Sequence, residues 1–398
     1  MTGADQTESE LLRPSPRVGA WLVGARGAVA TTARLGAAAV AAGLAPPTGL
    51  VTRLPAFRDV PLPELDQLVF GGHDLADTPL VKRADALAET GVIPATLPRA
   101  VEEELEATDF EIRPGIGPDD TERPREAIAR ARRDIEGFVE AHGLATVVVV
   151  NLASTEPPAR AHPAHATLDA LDEALDTGLA VLPPSSLYAY AALDAGCSFV
   201  DFTPSTGVRL PALEALALRR GVAHAGRDGK TGETLVKSAL APLFASRNLH
   251  VLSWAGTNLL GGGDGAALAD PDRRRSKLDS KARALGAILG YQPDARIGIE
   301  HVADFGEWKT AWDHISFEGF LGTRMRMQFT WEGCDSALAA PLVLDLARLV
   351  ASAQAAGYRG GITELAFFFK DPWGSQEHRL APQFEALCEW AGGLATRA

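Results

Sequence analysis

The residues best suited to chemistry in this chain are its lysines. The 38 basic residues are 31 arginines and only seven lysines, which are Lys82, Lys230, Lys237, Lys277, Lys281, Lys309 and Lys370. A guanidinium never deprotonates usefully, whereas the pKa of a lysine falls on burial or beside other cations, so lysine can serve as an acid, a base or a point-charge clamp. Six of the seven lie between residues 230 and 370, so this region is the first place to look for a site, although any single lysine is more often an ordinary surface residue.

Lys277 and Lys281 stand four residues apart in the segment RRRSKLDSKARALG, residues 273 to 286. On a helix such a pair shares one face, with Cβ atoms about 5–6 Å apart. At roughly 5 Å and an effective dielectric constant of about 20, the two ammonium groups repel by on the order of 3 kcal/mol. The arrangement therefore predicts an anion between the two lysines.

Composition indicates an ordinary globular protein of two domains, or of one domain with a large insertion, because 398 residues exceed what one small core usually organises. The net charge of −13 argues against nucleic-acid and anionic-membrane partners. The three cysteines have no paired or metal-like spacing, so we expect a reduced cytoplasmic protein without disulfides. Residues 1–17 are polar and acidic, which predicts a disordered lead-in and no signal peptide. No run of about 18 apolar residues occurs, so no membrane span is expected.

The order of the elements predicts an α/β fold. An apolar strand at residues 18–24 enters a glycine turn and an alanine-rich helix, and a second strand, ATVVVVNLAS, is apolar on both faces as buried parallel strands are. Alternating strands and helices predict a doubly wound parallel sheet over residues 18–231. The late strands alternate apolar and polar residues, which favours an inserted α+β domain over 232–335 whose sheet has one solvent-facing or subunit-facing side, and 336–398 is predicted to return to the first domain.

The segment VGARGAVATT follows a strand and opens a helix, the setting in which backbone amides and the helix dipole bind a pyrophosphate. It does not match G-x-G-x-x-G, because Arg26 takes the second glycine position. The segment 49–57 offers no acid for the ribose hydroxyls, so the nearest candidate is Asp74, which we expect to approach from another loop. GRDGKT lacks the first glycine of a P-loop, and no tyrosine has a lysine four residues on, as short-chain dehydrogenases require.

Many short motifs together resemble one family. GRDGKTGETLVKS, NLLGGGDG, RSKLDSK, DFGEWKTAWD, CDSALAAPLVLDL and FFFKDP occur in the order and spacing of the myo-inositol-1-phosphate synthase family, also called inositol-3-phosphate synthase. VFGGHD and NLASTEP look like that family's loops near the cofactor, and the resemblance covers most of the chain from about 18 to 375. It implies an NAD-dependent isomerase that closes glucose 6-phosphate into 1L-myo-inositol 1-phosphate. The implied steps are oxidation of the C5 hydroxyl, enolisation toward C6, an intramolecular aldol reaction onto C1, and reduction by the same NADH.

The resemblance also implies the site residues. The catalytic set is Lys277, Lys281, Lys309, Lys370, Asp228 and Asp264. Within it Lys277 and Lys370 are expected at the reacting carbons and Lys281 and Lys309 on the phosphate, together with Thr231, Gly232 and Thr234 at a helix start. Asp264 is expected to orient a lysine or to help hold a monovalent or divalent cation, and Asp228 to lie near the nicotinamide. The implied NAD contacts are Gly24, Ala25, Arg26, Gly27, Ala28, Val29, Asp74, Ser154, Thr155, Asp228 and Asp335.

Several interpretations stay open at this stage. Lys309 is alternatively a rim residue beside two tryptophans, Asp335 a helix cap with Ser336, and GGGDG a plain loop. Family members often carry asparagines where this chain has Gly262 and Gly263, and Ala28 and Val29. The NLASTEP segment also replaces the family's usual Asn-Thr-Glu-Arg run. These differences leave the substrate open: another sugar phosphate, such as fructose 6-phosphate closed to a five-membered ring, is the first alternative. A simple NAD dehydrogenase and an inactive homologue are the others. The resemblance further implies that 18–231 is a Rossmann-type NAD domain. It also implies that 232–335 is the catalytic and oligomerisation domain through which a homotetramer assembles.

Overall fold

The structure, a computed structural model, describes residues 17–261 and 285–396. Its first domain is built on a seven-stranded parallel sheet with the order β11-β6-β5-β4-β1-β2-β3. Apart from the added β11, this is the strand order of dinucleotide-binding folds. The strands are β1 Val18–Val23, β2 Leu68–Asp74, β3 Ile112–Pro114, β4 Thr146–Asn151, β5 Ser198–Asp201, β6 Ala223–Gly226 and β11 Gly360–Gly361. The predicted doubly wound α/β fold is confirmed.

Helices cover both faces of this sheet. In chain order they are α1 Ala28–Ala41, α2 Leu80–Glu89, α3 Leu97–Ala100, α4 Glu102–Phe110, α5 Pro124–His142, α6 Leu168–Asp176, α7 Pro184–Asp194 and α8 Pro211–Arg220. The valines of β4 are buried on both faces, and two separate apolar cores lie above and below the sheet. Helix α5 shows how the sequence sets an element's bounds: proline opens it, and Gly143 ends it in the left-handed conformation with φ +58°.

The second domain is a four-stranded mixed sheet with the order β10-β9-β7-β8. Its strands are β7 His250–Leu260, β8 Asp294–His301, β9 Trp308–Glu318 and β10 Arg324–Cys334. Helix α9, Gly232–Ser246, leads into it, and its core contains Phe244 and Trp254. The predicted boundary at 231/232 falls at the start of α9.

Helix α10, Asp335–Ala355, brings the chain back to the first domain, where it packs on α1 and on β4 to β6. Within the described residues, α10 is the one helix long and apolar enough to cross a membrane, and 78% of the qualifying window is buried in the fold, as in a core helix. Helix α11, Leu380–Leu394, follows β11.

Five strands were not predicted, namely β2, β3, β6, β9 and β11. Residues 49–57 contain only two 3-10 turns, and the second strand of the sheet is β2, Leu68–Asp74. The expectation that Asp74 approaches from another loop is therefore wrong, because Asp74 ends the strand beside β1. The longest of the five is β9, which pairs along its length with both β7 and β10.

Candidate active site

The turn after β1 is shaped to receive a dinucleotide. The amides of Gly24 and Ala25 both donate to the carbonyl oxygen of His73, at 2.8 and 3.2 Å. Gly24 has φ +84°, and a Cβ there would lie 3.0 Å from the backbone nitrogen of Ala153, so only glycine lets this turn approach the loop after β4 so closely. Gly27 then caps α1 without a side-chain hydrogen bond, which leaves the first amides of α1 without intrahelical acceptors at the positive end of the helix dipole. The turn lies at the carboxyl edge of the sheet between β1 and β4, where the strand order reverses.

Three of the predicted NAD contacts lie behind this turn and not on the cavity wall. Ala25 is buried, and the Arg26 guanidinium pairs with Asp109 at 2.8 Å. The Asp74 carboxylate accepts hydrogen bonds from the amides of Arg26 at 2.6 Å and Ala76 at 2.8 Å. Asp74 therefore holds the turn in shape in this structure, and its contact with the ribose stays a prediction.

A cavity of about 340 Å³ joins the glycine turn to the second domain. Most of the predicted site residues that the structure describes line it, although they come from distant parts of the chain. They are Gly24, Gly27, Ala28, Val29, Ser154, Thr155, Asp228, Thr231, Thr234, Lys309, Asp335 and Lys370.

Lys370 reaches the cavity through a pairing of two loops. Its amide donates to the carbonyl oxygen of Asp228 at 2.7 Å, and the amide of Lys230 donates to that of Phe368 at 2.8 Å. This pairing places the Lys370 ammonium 2.8 Å from Asp228 Oδ1, an ion pair in which both side chains are largely buried. Asp228 has φ +61°, a conformation rare for a residue with a side chain and often found at functional sites.

Lys309 enters from β9, where alternate residues face opposite ways. Lys309 is 8% exposed, whereas its neighbours Trp308 and Trp312 are 36% and 44% exposed, so the rim interpretation is wrong. Its ammonium forms an ion pair with Asp335 Oδ1. Burial alone would raise the pKa of Asp335, but the adjacent Lys309 ammonium outweighs it and the pKa falls to about 2. Asp335 is the first residue of α10 and no side chain caps that helix, so the capping interpretation is wrong as well.

The N-terminus of α9 faces Lys309 and forms one end of the cavity, where the donor groups suit an anion. Thr231 caps the helix in an extended conformation, and no side chain satisfies the first amides. Gly232 has φ +56°, and any Cβ there would collide with the end of the Lys309 side chain, so glycine is needed to bring the lysine to the helix terminus. Thr234 Oγ1 is buried at the cavity and has no hydrogen-bond partner among the described residues. Amides, an ammonium and an unsatisfied hydroxyl are suitable donors for a phosphate.

A buried acid supports the loop after β5. Asp201 ends β5 and accepts hydrogen bonds from Asn151 Nδ2 at 3.0 Å and from the Thr203 hydroxyl at 3.3 Å. Burial raises the pKa of Asp201 to about 7, although these hydrogen bonds and the Arg227 charge oppose the rise. Asp201 lies directly behind Phe202 and Thr203 on the cavity wall, so it positions the wall and does not line it.

Lys277, Lys281 and Asp264 lie outside the described residues, so their predicted roles stay predictions. The alternative interpretation of GGGDG as a plain loop and the expected cation near Asp264 also stay predictions. Among residues 17–261 and 285–396, no group of three or more His, Cys, Asp or Glu side chains is arranged to hold a metal ion.

Sequence reasoning missed several residues of the wall. Phe202 and Thr203 follow β5 as Leu152 follows β4, so the rule that ligands bind beyond the carboxyl ends of parallel strands would have found them. Arg83 of α2 and Glu307 before β9 form a 2.9 Å ion pair between the two domains. No local pattern indicated that pair. Two further missed wall residues, Glu233 and Asn258, belong to a cluster of buried polar side chains.

Comparisons with known proteins agree with this geometry. The family model for myo-inositol-1-phosphate synthase matches residues 18–391. Inositol-3-phosphate synthase 1 of Bacteroides thetaiotaomicron is 33% identical over 96% of this chain and 95% of its own length. Inositol-3-phosphate synthase of Trypanosoma brucei brucei is 32% identical over 72% of this chain, which spans 58% of that longer protein.

Two solved structures have the same fold. Inositol-3-phosphate synthase from Caenorhabditis elegans superposes with a TM-score of 0.87 at 24% identity, over 96% of this chain and 86% of that one. A myo-inositol-1-phosphate synthase-related protein from Thermotoga maritima gives 0.77 at 24% identity, over 94% and 98%. On the family match and the full-length Bacteroides relative, this chain belongs to the myo-inositol-1-phosphate synthase family, a family of NAD-binding enzymes.

Proposed function

We propose that this chain is an NAD-dependent inositol-3-phosphate synthase that converts glucose 6-phosphate into 1L-myo-inositol 1-phosphate. One observation carries the proposal: Lys309 and Lys370, each paired with a carboxylate, reach the same cavity as the glycine turn after β1. A surface lysine needs neither burial nor a shared cavity, so the convergence supports a site for an anionic substrate beside a dinucleotide.

The glycine turn fits a dinucleotide. Gly24 and Gly27 would let the backbone approach the pyrophosphate, and the first amides of α1 would hold it. A bound NAD would supply the oxidation of a sugar hydroxyl and the later return of the same reducing equivalents. Ala28, Val29, Ala153 and Phe202 form an apolar wall that would exclude water from the reacting carbons.

The phosphate of the substrate would bind at the N-terminus of α9. Lys309 would supply the charge, and Thr231 and Thr234 would supply hydroxyl donors. Binding there would satisfy the buried Thr234 hydroxyl, which is costly to leave without a partner. Lys281 is proposed to join this end, as the sequence predicts.

Lys370 would act at the reacting carbons. Its ion pair with Asp228 fixes the position of the Lys370 ammonium on the cavity wall. A hydrogen-bond donor there would suit the stabilisation of a developing enolate or aldol oxyanion. Proton transfer from a carbon next to a ketone also needs a base, and Lys277 is proposed for that step on the family resemblance.

The test is product analysis of the purified protein with NAD and glucose 6-phosphate, followed by 31P and 13C NMR. We expect an inositol monophosphate and no net NADH. Stoichiometric NADH would overturn the proposal in favour of a simple dehydrogenase. Turnover of fructose 6-phosphate alone, with a five-membered carbocycle as product, would keep the chemistry and overturn the substrate. Lys82, on the exposed face of α2, offers the control Lys82→Met, which should leave the product and rate unchanged.

The proposal includes a homotetramer in the cytoplasm. In the described part of the second sheet, β10 is an eleven-residue edge strand, and Trp312 and Met325 on this sheet are 44% and 38% exposed. Long edge strands are usually covered, so a subunit contact here is reasonable. All three cysteines are free thiols, which is compatible with a reducing compartment. Light scattering on a sizing column should give the mass of four 41.9 kDa chains, and a monomeric mass would refute the assembly.

A further inference from the structure

A cluster of buried charges lies directly beneath the end of the cavity at which the phosphate is proposed to bind. Its members are Glu233 and Lys237 on α9, Trp254 and Asn258 on β7, and Asp313 on β9, each at most 5% exposed. Buried charges are rare unless they are paired, so the arrangement needs an explanation beyond general stability.

Glu233 stands in an unexpected place for an acid. It lies in the first turn of α9 between Gly232 and Thr234, and it lines the cavity where the proposed phosphate would bind. A carboxylate is favourable at a helix N-terminus in general, but here it would compete with the phosphate for the same amides and repel it. The described cavity wall has three other acids, Asp228, Asp335 and Glu307, against Lys309, Lys370 and Arg83, so Glu233 is a fourth acid on a described wall with three cations.

Lys237 offsets this charge. It is four residues after Glu233, one helical turn away on the same face, and its ammonium forms an ion pair with Glu233 Oε1. The other carboxylate oxygen accepts from Asn258 Nδ2 at 2.8 Å. Both contacts turn the Glu233 carboxylate toward the second sheet.

The second sheet is shaped to hold Lys237 in this position. Asp313 Oδ1 lies 4.0 Å from the ammonium and accepts from Trp254 Nε1 at 2.7 Å, and the Trp254 ring lies 5.6 Å from the same ammonium. Gly256 on β7 leaves space for the two carboxylates, because a Cβ there would lie 2.8 Å from Asp313 Oδ1 and 3.2 Å from Glu233 Oε1.

We propose that Lys237 is a positioning residue for substrate binding, which neutralises Glu233 and holds its carboxylate away from the phosphate at the N-terminus of α9. The inference rests on the proposed function in that it takes the anion to be the phosphate of a sugar phosphate. It predicts that phosphate binding depends on Lys237 because Glu233 is charged.

The test is a double-mutant cycle with Lys237→Met, Glu233→Gln and the double variant, each saturated with NAD. Inorganic phosphate is titrated by calorimetry, the KM for glucose 6-phosphate is measured, and the NAD affinity and Tm serve as structural readouts. We expect Lys237→Met to weaken phosphate binding and raise KM by about ten-fold or more, because the Glu233 carboxylate then loses this ammonium and is no longer held by it away from the anion. We expect NAD affinity within about two-fold of the wild type, and the double variant to bind phosphate within about three-fold of it.

A purely structural pair would give a different pattern. Unchanged phosphate binding in Lys237→Met, or no recovery in the double variant, would overturn the inference. So would a ten-fold loss in Glu233→Gln alone, since the acid itself would then be needed. If Lys237→Met does not fold, Glu233→Gln is compared with the double variant: affinities within about three-fold support the inference, and a gap above ten-fold refutes it. Lys82→Met, an exposed lysine on α2, is the matched control.

The two proposals fail separately. Phosphate binding decides the role of Lys237, whereas the NMR product decides the reaction. A wild-type protein that binds phosphate but makes no cyclitol would overturn the proposed function, and the cycle would still decide the role of Lys237. A wild-type protein that binds no inorganic phosphate would overturn the role of Lys237, and the product analysis would still decide the reaction.

Discussion

Replacing Gly232 by alanine should damage the phosphate end of the site through one displaced lysine. An alanine Cβ at this position would lie 2.9 Å from Lys309 Cε and closer still to Nζ. Ordinary carbon–carbon contact begins near 3.5 Å, so the lysine must retreat by at least about 0.6 Å. The Lys309–Asp335 ion pair and the aim of the ammonium at the start of α9 would both change.

Two costs of this substitution can be separated. Gly232 has φ +56°, and placing alanine in the left-handed region costs about 1–2 kcal/mol whatever surrounds it. The displaced ammonium adds the loss of a charge-assisted hydrogen bond to phosphate, about 1.5–3 kcal/mol, which corresponds to a rise in KM of about ten-fold or more. The first cost lowers stability, and the second lowers substrate affinity.

Gly143 provides the matched control. It has φ +58°, it lies at the end of α5 away from the cavity, and an added Cβ would meet nothing within 4 Å. Gly143→Ala should therefore lose a similar amount of stability in urea unfolding and keep the wild-type KM for glucose 6-phosphate. Gly232→Ala with a wild-type KM, or Gly143→Ala with an equal rise, would refute the reasoning.

Three further predictions concern the lysine at the reacting carbons, the buried acid and the domain contact. Lys370→Met should lower the rate of product formation by about 10³-fold or more, while NAD titration shows wild-type affinity. A rate above a tenth of the wild-type rate would contradict the role of Lys370 at the reacting carbons. Burial raises the pKa of Asp201 from 3.8 to about 7, so the folded state keeps a proton that the unfolded state has released, and stability should fall as pH rises from about 4 to 7. Asp201→Asn should lose this dependence, which amounts to about 3 kcal/mol between pH 5 and pH 8.5 in urea unfolding; an unchanged dependence would refute it. Arg83→Met breaks the ion pair with Glu307 and should change the free energy of unfolding by less than about 1 kcal/mol but raise KM several-fold, and an unchanged KM would show that this contact does not shape the cavity.

The sequence predicted the first domain where hydrophobic patterning is strong. β4 is a run of valines that is apolar on both faces, so the strand predicted from ATVVVVNLAS contains the observed Thr146–Asn151. β2 was missed because Gly71 and Gly72 made its sequence look like a loop. In the structure, a Cβ at Gly71 would lie 3.0 Å from the Trp21 ring, and one at Gly72 would lie 2.7 Å from the Cβ of Ala25. The glycines therefore mark a close approach inside a strand.

β9 was missed for a different reason, which is functional. Its buried positions are occupied by Lys309, Ala311, Asp313, Ile315 and Phe317, so the inward face carries two charged residues. A charge at an inward position hides the alternation by which half-buried strands are found. The residues that concealed the strand are the ones that serve the site and the cluster beneath it, as expected where function overrides local patterning.

The convergence of the site residues was not available from local pattern at all. Lys370 meets Asp228 across 142 positions of sequence, and only the pairing of two loops brings them together. Spacing, propensity and charge describe neighbours along the chain, so they cannot indicate such a contact. Resemblance to a family supplied it, because a shared motif order carries the fold that makes the contact.

The pairing of Lys309 with Asp335 also bears on how a lysine can be both held and available. An ammonium has three donors, and the Asp335 carboxylate takes one of them, so the ion pair fixes where Lys309 points without exhausting its capacity to bind an anion. The low pKa of Asp335, about 2, keeps that carboxylate charged throughout the neutral range, so the orientation does not vary with pH where an enzyme works. Gly232 then decides how close the ammonium comes to the helix amides. Binding strength at this end of the cavity therefore depends on a carboxylate and a glycine that need not touch the phosphate themselves.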